Sequence, residues 1–555
     1  MTPFARLLEA LVLTPSRNAK LTMLTRYFRD APDPDRGWAL AALAGTLDLK
    51  SATASNLRAM VEERVDPVLF RMSYDYVGDL AETIALIWPG RGAAPIELPL
   101  SEVVDTLSGA SREEASQHIA GWLDRLGTSE RLALIKLATG GLRIGVSERL
   151  AKTALAGLRD DDEATLTQIE ELWHGVEPPY TELFEWLDGK ASAPQIDLTF
   201  AFRPMMLAHP IDNALYSAEE RRAGLHEENS DWTLARLNDR LAPEDFIAEW
   251  KWDGIRVQAI RFGHEARLYT RAGEEISGSF PDVIDAMGFE GVADGELLVM
   301  REGEVAPFAD LQKRLGRKKP GAKTLRDGPG HIRIYDLLHD GVEDLRMLPL
   351  ETRRRRLDHW GAGFEAGFKT AQRVDLSPVI TFKSWDELTA IRAAARENGQ
   401  EGLMLKRRDS LYTGGRPTGP WWKWKRAPLS ADCVLMYAQR GHGKRSSYYS
   451  DFTFGAWRDG AKGPELTPVG KAYSGFTDEE LLRLDKWVRA NTTDRYGPVR
   501  AVEIGLVFEV SFDAVQASAR HKSGIAMRFP RVKRIRWDKP ADEADTLATL
   551  SEMIG

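Results

Sequence analysis

Glu249-Trp250-Lys251-Trp252-Asp253-Gly254-Ile255-Arg256 sets one lysine between two carboxylates and two indoles. The stretch lies in residues 246–260, whose apolar and aromatic side chains read as a strand with a break at Gly254. Alternate side chains of an extended chain share a face, so Glu249, Lys251 and Asp253 are expected on one side and Trp250 and Trp252 on the other. Such a lysine has two readings. It is either the cation of a solvated cross-strand ion pair or a nucleophile, held and deprotonated so that its amine attacks a phosphorus atom. The stretch alone leaves both open.

Further along, polar groups recur in settings suited to phosphate transfer. Arg271 closes Tyr269-Thr270-Arg271, a strand end from which a guanidinium can bridge ribose or phosphate oxygens. Glu296 follows Asp294-Gly295, and Glu401 precedes Gly402. Each is also a common turn; together, two acids beside strands can hold a hard divalent cation whose shell phosphates complete. Tyr335, before Asp336, is either a buried core ring or a platform for a purine. Lys423 and Lys425 alternate with Trp422 and Trp424, which puts both ammoniums on one face of a strand. There they either meet solvent or neutralise a phosphate whose charge rises during substitution.

The elements that must position these groups fall into three regions. Residues 1 to about 185 read as helical: Leu, Ala, Glu and Arg dominate, and apolar residues recur at three-to-four spacing. Within them a helix-like run breaks at Gly140-Gly141, passes Leu142-Arg143-Ile144-Gly145, and restarts at Ser147. That pattern is either an ordinary corner between helices or a loop whose amides approach a phosphate, with Arg143 nearby. Residues 187–210 read as a linker. Between 206 and 427 strands (257–261, 296–301, 331–337, 403–406, 421–425) alternate with helices (310–315, 350–359, 384–398), which indicates an α+β domain. Beyond that, short strands (432–438, 451–457, 508–511) between glycine-rich turns, interrupted by a helix at 477–490, fit a small β-barrel. The expected domains are 1–200, 201–427 and 428–555.

Composition narrows the class. The 555 residues are 43% hydrophobic and 28% charged, ordinary for a globular protein, with enough length for several cores. No apolar run spans a membrane, and the N-terminus has no signal-peptide pattern. One cysteine, Cys433, excludes an internal disulfide and a Cys-rich zinc site, so a reducing cytoplasm fits. The net charge of −8 does not advertise nucleic acid, but basic residues cluster at 313–319, 353–356, 406–408, 423–426, 444–445 and 528–539. The 353–356 run, flanked by Glu351 and Asp358, reads as a solvated helix face rather than a localisation signal.

The order and spacing of these motifs resemble the covalent nucleotidyltransferases, and specifically the ATP-dependent DNA ligases. The resemblance rests on Lys251-x-Asp253-Gly254-x-Arg256, Thr270-Arg271, Asp294-Gly295-Glu296, Tyr335-Asp336-Leu337-Leu338, Glu401-Gly402-Leu403-Met404-Leu405-Lys406, Trp422-Lys423-Trp424-Lys425 and Arg536-x-Asp538-Lys539. It implies a helical DNA-binding domain, an adenylation domain and a C-terminal OB-fold barrel, and a protein that seals nicked duplex DNA with ATP and Mg²⁺, for which Mn²⁺ substitutes. Lys251 is then the nucleophile that becomes a lysyl-AMP, with Asp253, Arg256, Lys423 and Lys425 beside it in the catalytic set. Glu249 contacts the adenine, Tyr335 stacks on it, Arg271 meets ribose and phosphates, and Glu296 and Glu401 serve sugar and metal. Arg536 and Lys539, on the barrel, stabilise the departing pyrophosphate. Gly141, Arg143, Gly145, Lys444, Arg445, Arg528 and Arg531 are the implied DNA contacts.

The absence of targeting signals and the three-domain plan suggest a bacterial or archaeal cytoplasm, with nucleoid association and a monomer in solution expected. The chain ends soon after the last motif, so no C-terminal interaction domain is expected. The lone cysteine argues against the NAD-dependent ligases, which usually carry four ligating cysteines. Two rivals stand beside this reading. An RNA ligase or mRNA-capping enzyme shares the lysine motif and pocket, but usually lacks a helical domain with the 141–145 signature. A DNA clamp without catalysis has no need of Lys251, Glu296, Glu401 and Lys425 together.

Overall fold

The computed structural model describes the chain except residues 48, 50–52, 91–93, 143, 160–164, 197, 223–229, 318, 365–372, 396–399, 442–447, 461–462 and 555. Arg143, Lys444 and Arg445, three of the implied DNA contacts, lie outside the described residues. The chain divides into two compact units. One is formed by Met1–Leu166, Glu177–Pro194 and Pro428–Gly555; the other by Thr167–Val176 and Gln195–Ala427.

The N-terminal part of the first unit is helical, as its composition predicts. Helices run from Thr2–Leu13 through Glu148–Ala156, several of them started by side-chain caps: Ser16, Thr53, Asp66, Asp79, Ser111 and Ser147 each accept a hydrogen bond from the first turn. The apolar stripes meet in a core that includes Phe4, Leu11, Leu24, Phe28, Leu40 and Phe184. No helix among the described residues is long and apolar enough to cross a membrane.

The second unit is built on two sheets. The first orders His209–Pro210, Trp421–Lys425, Gly402–Arg407, Phe246–Lys251 and Val379–Ile380. The second runs Glu265–Thr270, Ile255–Phe262, Gly291–Arg301, Gly330–Asp340 and Glu343–Asp344, with Glu304–Val305 and Val374–Leu376 attached. The stretch around Lys251 is therefore not one strand but two in different sheets, and Trp252-Asp253-Gly254 is the crossing. A Cβ at Gly254 would lie 2.5 Å from the Leu297 carbonyl and 2.8 Å from Glu296 Cγ, so only glycine lets the crossing pass this close to strand Gly291–Arg301.

Period-two alternation then sorts side chains between core and opening. Phe246, Ala248 and Trp250, Leu403 and Leu405, and Trp422 and Trp424 pack into one cluster with Trp385 and Leu388. Burying each large apolar side chain is worth about 1.5–3 kcal/mol, so the tryptophans anchor the strands whose polar residues face the other way.

The C-terminal part of the first unit is rich in strands. Gly463–Ala472, Tyr449–Gly460, Leu429–Arg440, Val499–Val502 and Thr492–Tyr496 are neighbours in order, and Val507–Phe512 pairs with both Leu429–Arg440 and Arg531–Arg536. Helix Asp478–Ala490, opened by a capping box between Thr477 and Glu480, packs Leu481, Leu484 and Val488 onto this β core.

Candidate active site

Three adjacent strands bring the charged residues into rows. Antiparallel register places Gly402 opposite both Lys251 and Lys425, and Met404 opposite both Glu249 and Lys423. Glu401 joins the first row through its backbone, its N–H donating to Lys251 O at 2.9 Å and its carbonyl accepting from Arg426 N–H. Gly402 makes this possible. Its φ is +136°, and a Cβ there would stand 2.3 Å from the Trp424 carbonyl.

The result is an ion cluster around one carboxylate. Lys251 Nζ lies 2.5 Å from Glu401 Oε2, and Lys425 Nζ is 3.6 Å from the same oxygen. From the second sheet comes Glu296, opposite Arg256 in register. Its carboxyl is pushed up to about 7, chiefly by burial, while Lys251 and Arg256 pull it down and Glu401 and Asp253 push it up. Lys423 is held below the ordinary lysine range by burial, then by Arg416, Lys425, Lys251 and Arg271. Asp253 departs from the expectation of one strand face: the strand ends at Lys251, and Asp253 lies in the turn between the sheets.

Lys251, Arg256, Glu296, Glu401, Lys423 and Lys425, though not Asp253, open on a cavity of about 640 Å³ lined also by Glu249, Arg271, Tyr335 and Lys406. Its inner end is polar yet buried. Glu249 is 2% exposed and held from both sides, by Lys406 Nζ at 3.1 Å and Arg354 Nη1 at 3.4 Å. Lys406 Nζ stands 4.5 Å from the Tyr335 ring centroid and 4.9 Å from that of Trp421. Arg256 donates to Asp294 Oδ2 at 2.6 Å and to Tyr412 OH at 3.2 Å, and Tyr412 OH donates to the same Asp294 oxygen. Arg256 Nε is buried with no hydrogen-bond partner.

The basic run 353–356 is not the solvated helix face its flanking acids suggested. Arg353 is fully buried, donating to both oxygens of Asp336 and to the carbonyls of Leu348 and Ser410. Arg354 reaches Glu249 and the Ser377 carbonyl, and Arg355 and Arg356 alone face outward. A guanidinium can be buried where several acceptors converge on its fixed fork, which charge counting along a helix does not register. Arg354, Lys406 and Tyr412 were thus missed as site residues. Their signal was limited to a place inside or beside motifs that were read for other members.

The remaining predicted residues are placed as follows. Gly140 and Gly141 N–H groups donate to Leu137 and Lys136 carbonyls, so they close the helix before them rather than standing ready for phosphate. The Ile144 and Gly145 carbonyls accept from the buried Lys20 Nζ at 2.9 and 3.0 Å, and Ser147 caps the next helix as expected. Arg528 and Arg531 flank Phe529, which is 66% exposed with φ +52°, a strained position for an aromatic residue. Arg536 and Lys539 belong to the other unit, where both reach Asp432 Oδ2, at 3.3 and 2.8 Å.

Two carboxylates converge beside a cluster of cations, and among the described residues no set of three or more His, Cys, Asp or Glu side chains could cage a metal. That donor set suits an ion bound by one or two carboxylates and completed by substrate phosphates.

Comparison with known proteins agrees along the chain. Residues 2–156 match the family described as DNA ligase N terminus, 230–425 the ATP dependent DNA ligase domain, and 445–539 the ATP dependent DNA ligase C terminal region. A probable DNA ligase of Koribacter versatilis (strain Ellin345) is 32% identical, over 100% of this chain and 96% of that one. One of Anaeromyxobacter sp. (strain K) is 29% identical over 100% and 99%. One of Opitutus terrae is 31% identical over 99% of this chain, which spans 62% of its length. A solved structure titled Pmar-Lig_PreS3 shares the fold, with TM-score 0.59 and 17% identity over 96% of this chain and 99% of that one.

Proposed function

From a chain that belongs to the ATP-dependent DNA ligases, we infer an enzyme that seals 5′-phosphate/3′-hydroxyl nicks in duplex DNA through a lysyl-AMP, with Lys251 as the nucleophile. The observation that carries the assignment of Lys251 is its row. Lys251, Glu401 and Lys425 meet across three strands at the mouth of a cavity whose inner end holds Glu249 and Tyr335.

ATP fits that cavity with its base inward. Glu249, held between Arg354 and Lys406, accepts from the exocyclic amine of adenine, and Tyr335 offers the ring face. Arg256 and Arg271, which both line the cavity, supply donors to the ribose and phosphates. The Lys251 amine, once it has lost its proton, attacks the α-phosphorus; a P–N bond forms and the P–O bond to pyrophosphate breaks. Lys423 and Lys425 face the phosphorus, where charge rises. Next an oxygen of the DNA 5′-phosphate attacks the lysyl-AMP phosphorus, releasing the amine. The 3′-hydroxyl then attacks the 5′-phosphorus of the adenylated DNA, and AMP leaves.

Glu296 and Glu401 would hold a divalent ion, Mg²⁺ or in its place Mn²⁺. Such an ion supplies positive charge to phosphate oxygens. We assign residues 1–200 to DNA binding, 201–427 to adenylation and 428–555 to an OB-fold barrel that carries Arg536 and Lys539 to the pyrophosphate. Arg528, Arg531 and the loop through Gly145 are assigned to DNA phosphates.

The test is sealing of a labelled nicked duplex. Joining that requires ATP, a divalent ion and a 5′-phosphate is expected, and it should be far faster on nicked DNA than on nicked RNA. Joining of RNA alone would favour the RNA-ligase reading, and binding of nicked DNA without joining would favour the clamp.

A further inference from the structure

Asp432 lies near the start of strand Leu429–Arg440, opposite Glu509, and engages both cations just assigned to the leaving pyrophosphate. Lys539 Nζ is 2.8 Å and Arg536 Nη1 3.3 Å from the same oxygen, Oδ2. The other oxygen, Oδ1, is buried without a hydrogen-bond partner. The Asp432 backbone is fixed by Asp545, whose Oδ2 accepts its N–H at 2.7 Å and whose own N–H donates to the Asp432 carbonyl at 2.9 Å. Arg536 has a second acid in Asp538, which it meets through Nε and Nη2. For Lys539 the ion pair found among the described residues is Asp432.

A polyphosphate that reaches these two cations competes with the carboxylate oxygen they share. Pyrophosphate oxygens seek the same N–H donors, and their charge repels the carboxylate. Side chains of Asp432, Arg536 and Lys539 are 14%, 24% and 20% exposed, so a polyphosphate can reach the pair, and water cannot fully screen it. Carboxylate and polyphosphate therefore compete for these cations.

We propose that Asp432 is a latch that competes with the triphosphate of ATP and with pyrophosphate for Lys539 and Arg536. It holds both cations on the barrel until a polyphosphate displaces it, and takes them back when pyrophosphate has gone. The latch rests on the reading of Lys539 and Arg536 as leaving-group cations. It predicts that Asp432 weakens ATP binding in the first step and favours pyrophosphate release. The same competition acts in reverse, when pyrophosphate attacks the lysyl-AMP phosphorus, the P–N bond breaks and ATP re-forms.

The experiment uses the full chain with labelled ATP. Asp432→Asn should lower the ATP concentration for half-maximal self-adenylation, and the pyrophosphate concentration that half-discharges the adduct, each by about fivefold. In a Lys539→Met background the same substitution should have a clearly smaller effect, and Asp432→Glu should stay near wild type. Asp432→Ser serves if the asparagine protein does not fold. Unchanged or raised half-saturating concentrations in a variant that melts like wild type would overturn the latch. If wild type itself took no label, the ligase reading and the latch would fall together; label on wild type with no shift in the variant defeats the latch alone.

Discussion

Lys251 Nζ sits 2.5 Å from Glu401 Oε2, so the assigned nucleophile and the assigned metal ligand form an ion pair. An ammonium held in an ion pair has no lone pair to attack with. Lys251 can therefore act as a nucleophile only after it leaves that pair. Both side chains keep some exposure, 24% and 18%, so the pair is open to exchange.

Glu401→Gln should accordingly leave the fold almost intact, moving the melting temperature by about 2 °C or less. Self-adenylation should fall about 100-fold or more, because the several kcal/mol that a divalent ion gives to phosphate charge are lost. Calorimetry and a single-turnover labelling assay check the two halves.

Arg354→Met tests the inner end of the cavity. Glu249 keeps Lys406 but loses its second cation, and the Ser377 carbonyl loses its donor. The expected outcome is a rise of about tenfold in the KM for ATP with a smaller change in kcat, since the contact serves base binding and not the phosphorus. Saturation kinetics of adenylation read the split.

Lys20→Met tests the loop through Gly145. The ammonium is buried and bridges two carbonyls, so its loss should loosen that loop, at a cost of about 1–3 kcal/mol to the helical region. Nick binding, followed by gel shift over a salt series, should weaken well before self-adenylation does, because phosphate contacts depend on where the loop is held.

Lys539→Ala and Lys425→Ala separate the steps. Lys539 is assigned to the leaving pyrophosphate, so its loss should slow adenylation by about 100-fold while largely sparing the sealing of a nick supplied already adenylated. Lys425, beside Glu401 at the cavity mouth, should damage both. Equal losses in Lys539→Ala would refute the assignment of Lys539 to pyrophosphate.

Much of this site was legible in the sequence because its strands alternate strictly. Trp422 and Trp424 announce which face is buried, which leaves Lys423 and Lys425 on the other. Helices and strands followed the same periodicities. Asp253 was misplaced because one hydrophobic run covers two strands, and only the close approach at Gly254 reveals that the chain changes sheets. Arg353 and Arg354 were misread since a buried arginine is recognised by acceptors distant in sequence, Asp336 at 17 residues and Glu249 at 105. Asp432 carries no motif at all. Its contact with Lys539 appears only where strand Val507–Phe512 joins Leu429–Arg440 to Arg531–Arg536.

The account stands on Lys251 as the residue that carries AMP. The direct measurement is to incubate the full chain with ATP labelled at the α-phosphate and a divalent ion, denature it, and locate the label by peptide mass. Label should sit on the peptide containing Lys251, be lost in acid and survive alkali, as a phosphoramidate does. Lys251→Ala should take none, nor should Lys251→Arg, because a guanidinium does not give up its proton at working pH. Label retained by Lys251→Ala, or released from wild type by hydroxylamine, would contradict it and move the nucleophile elsewhere.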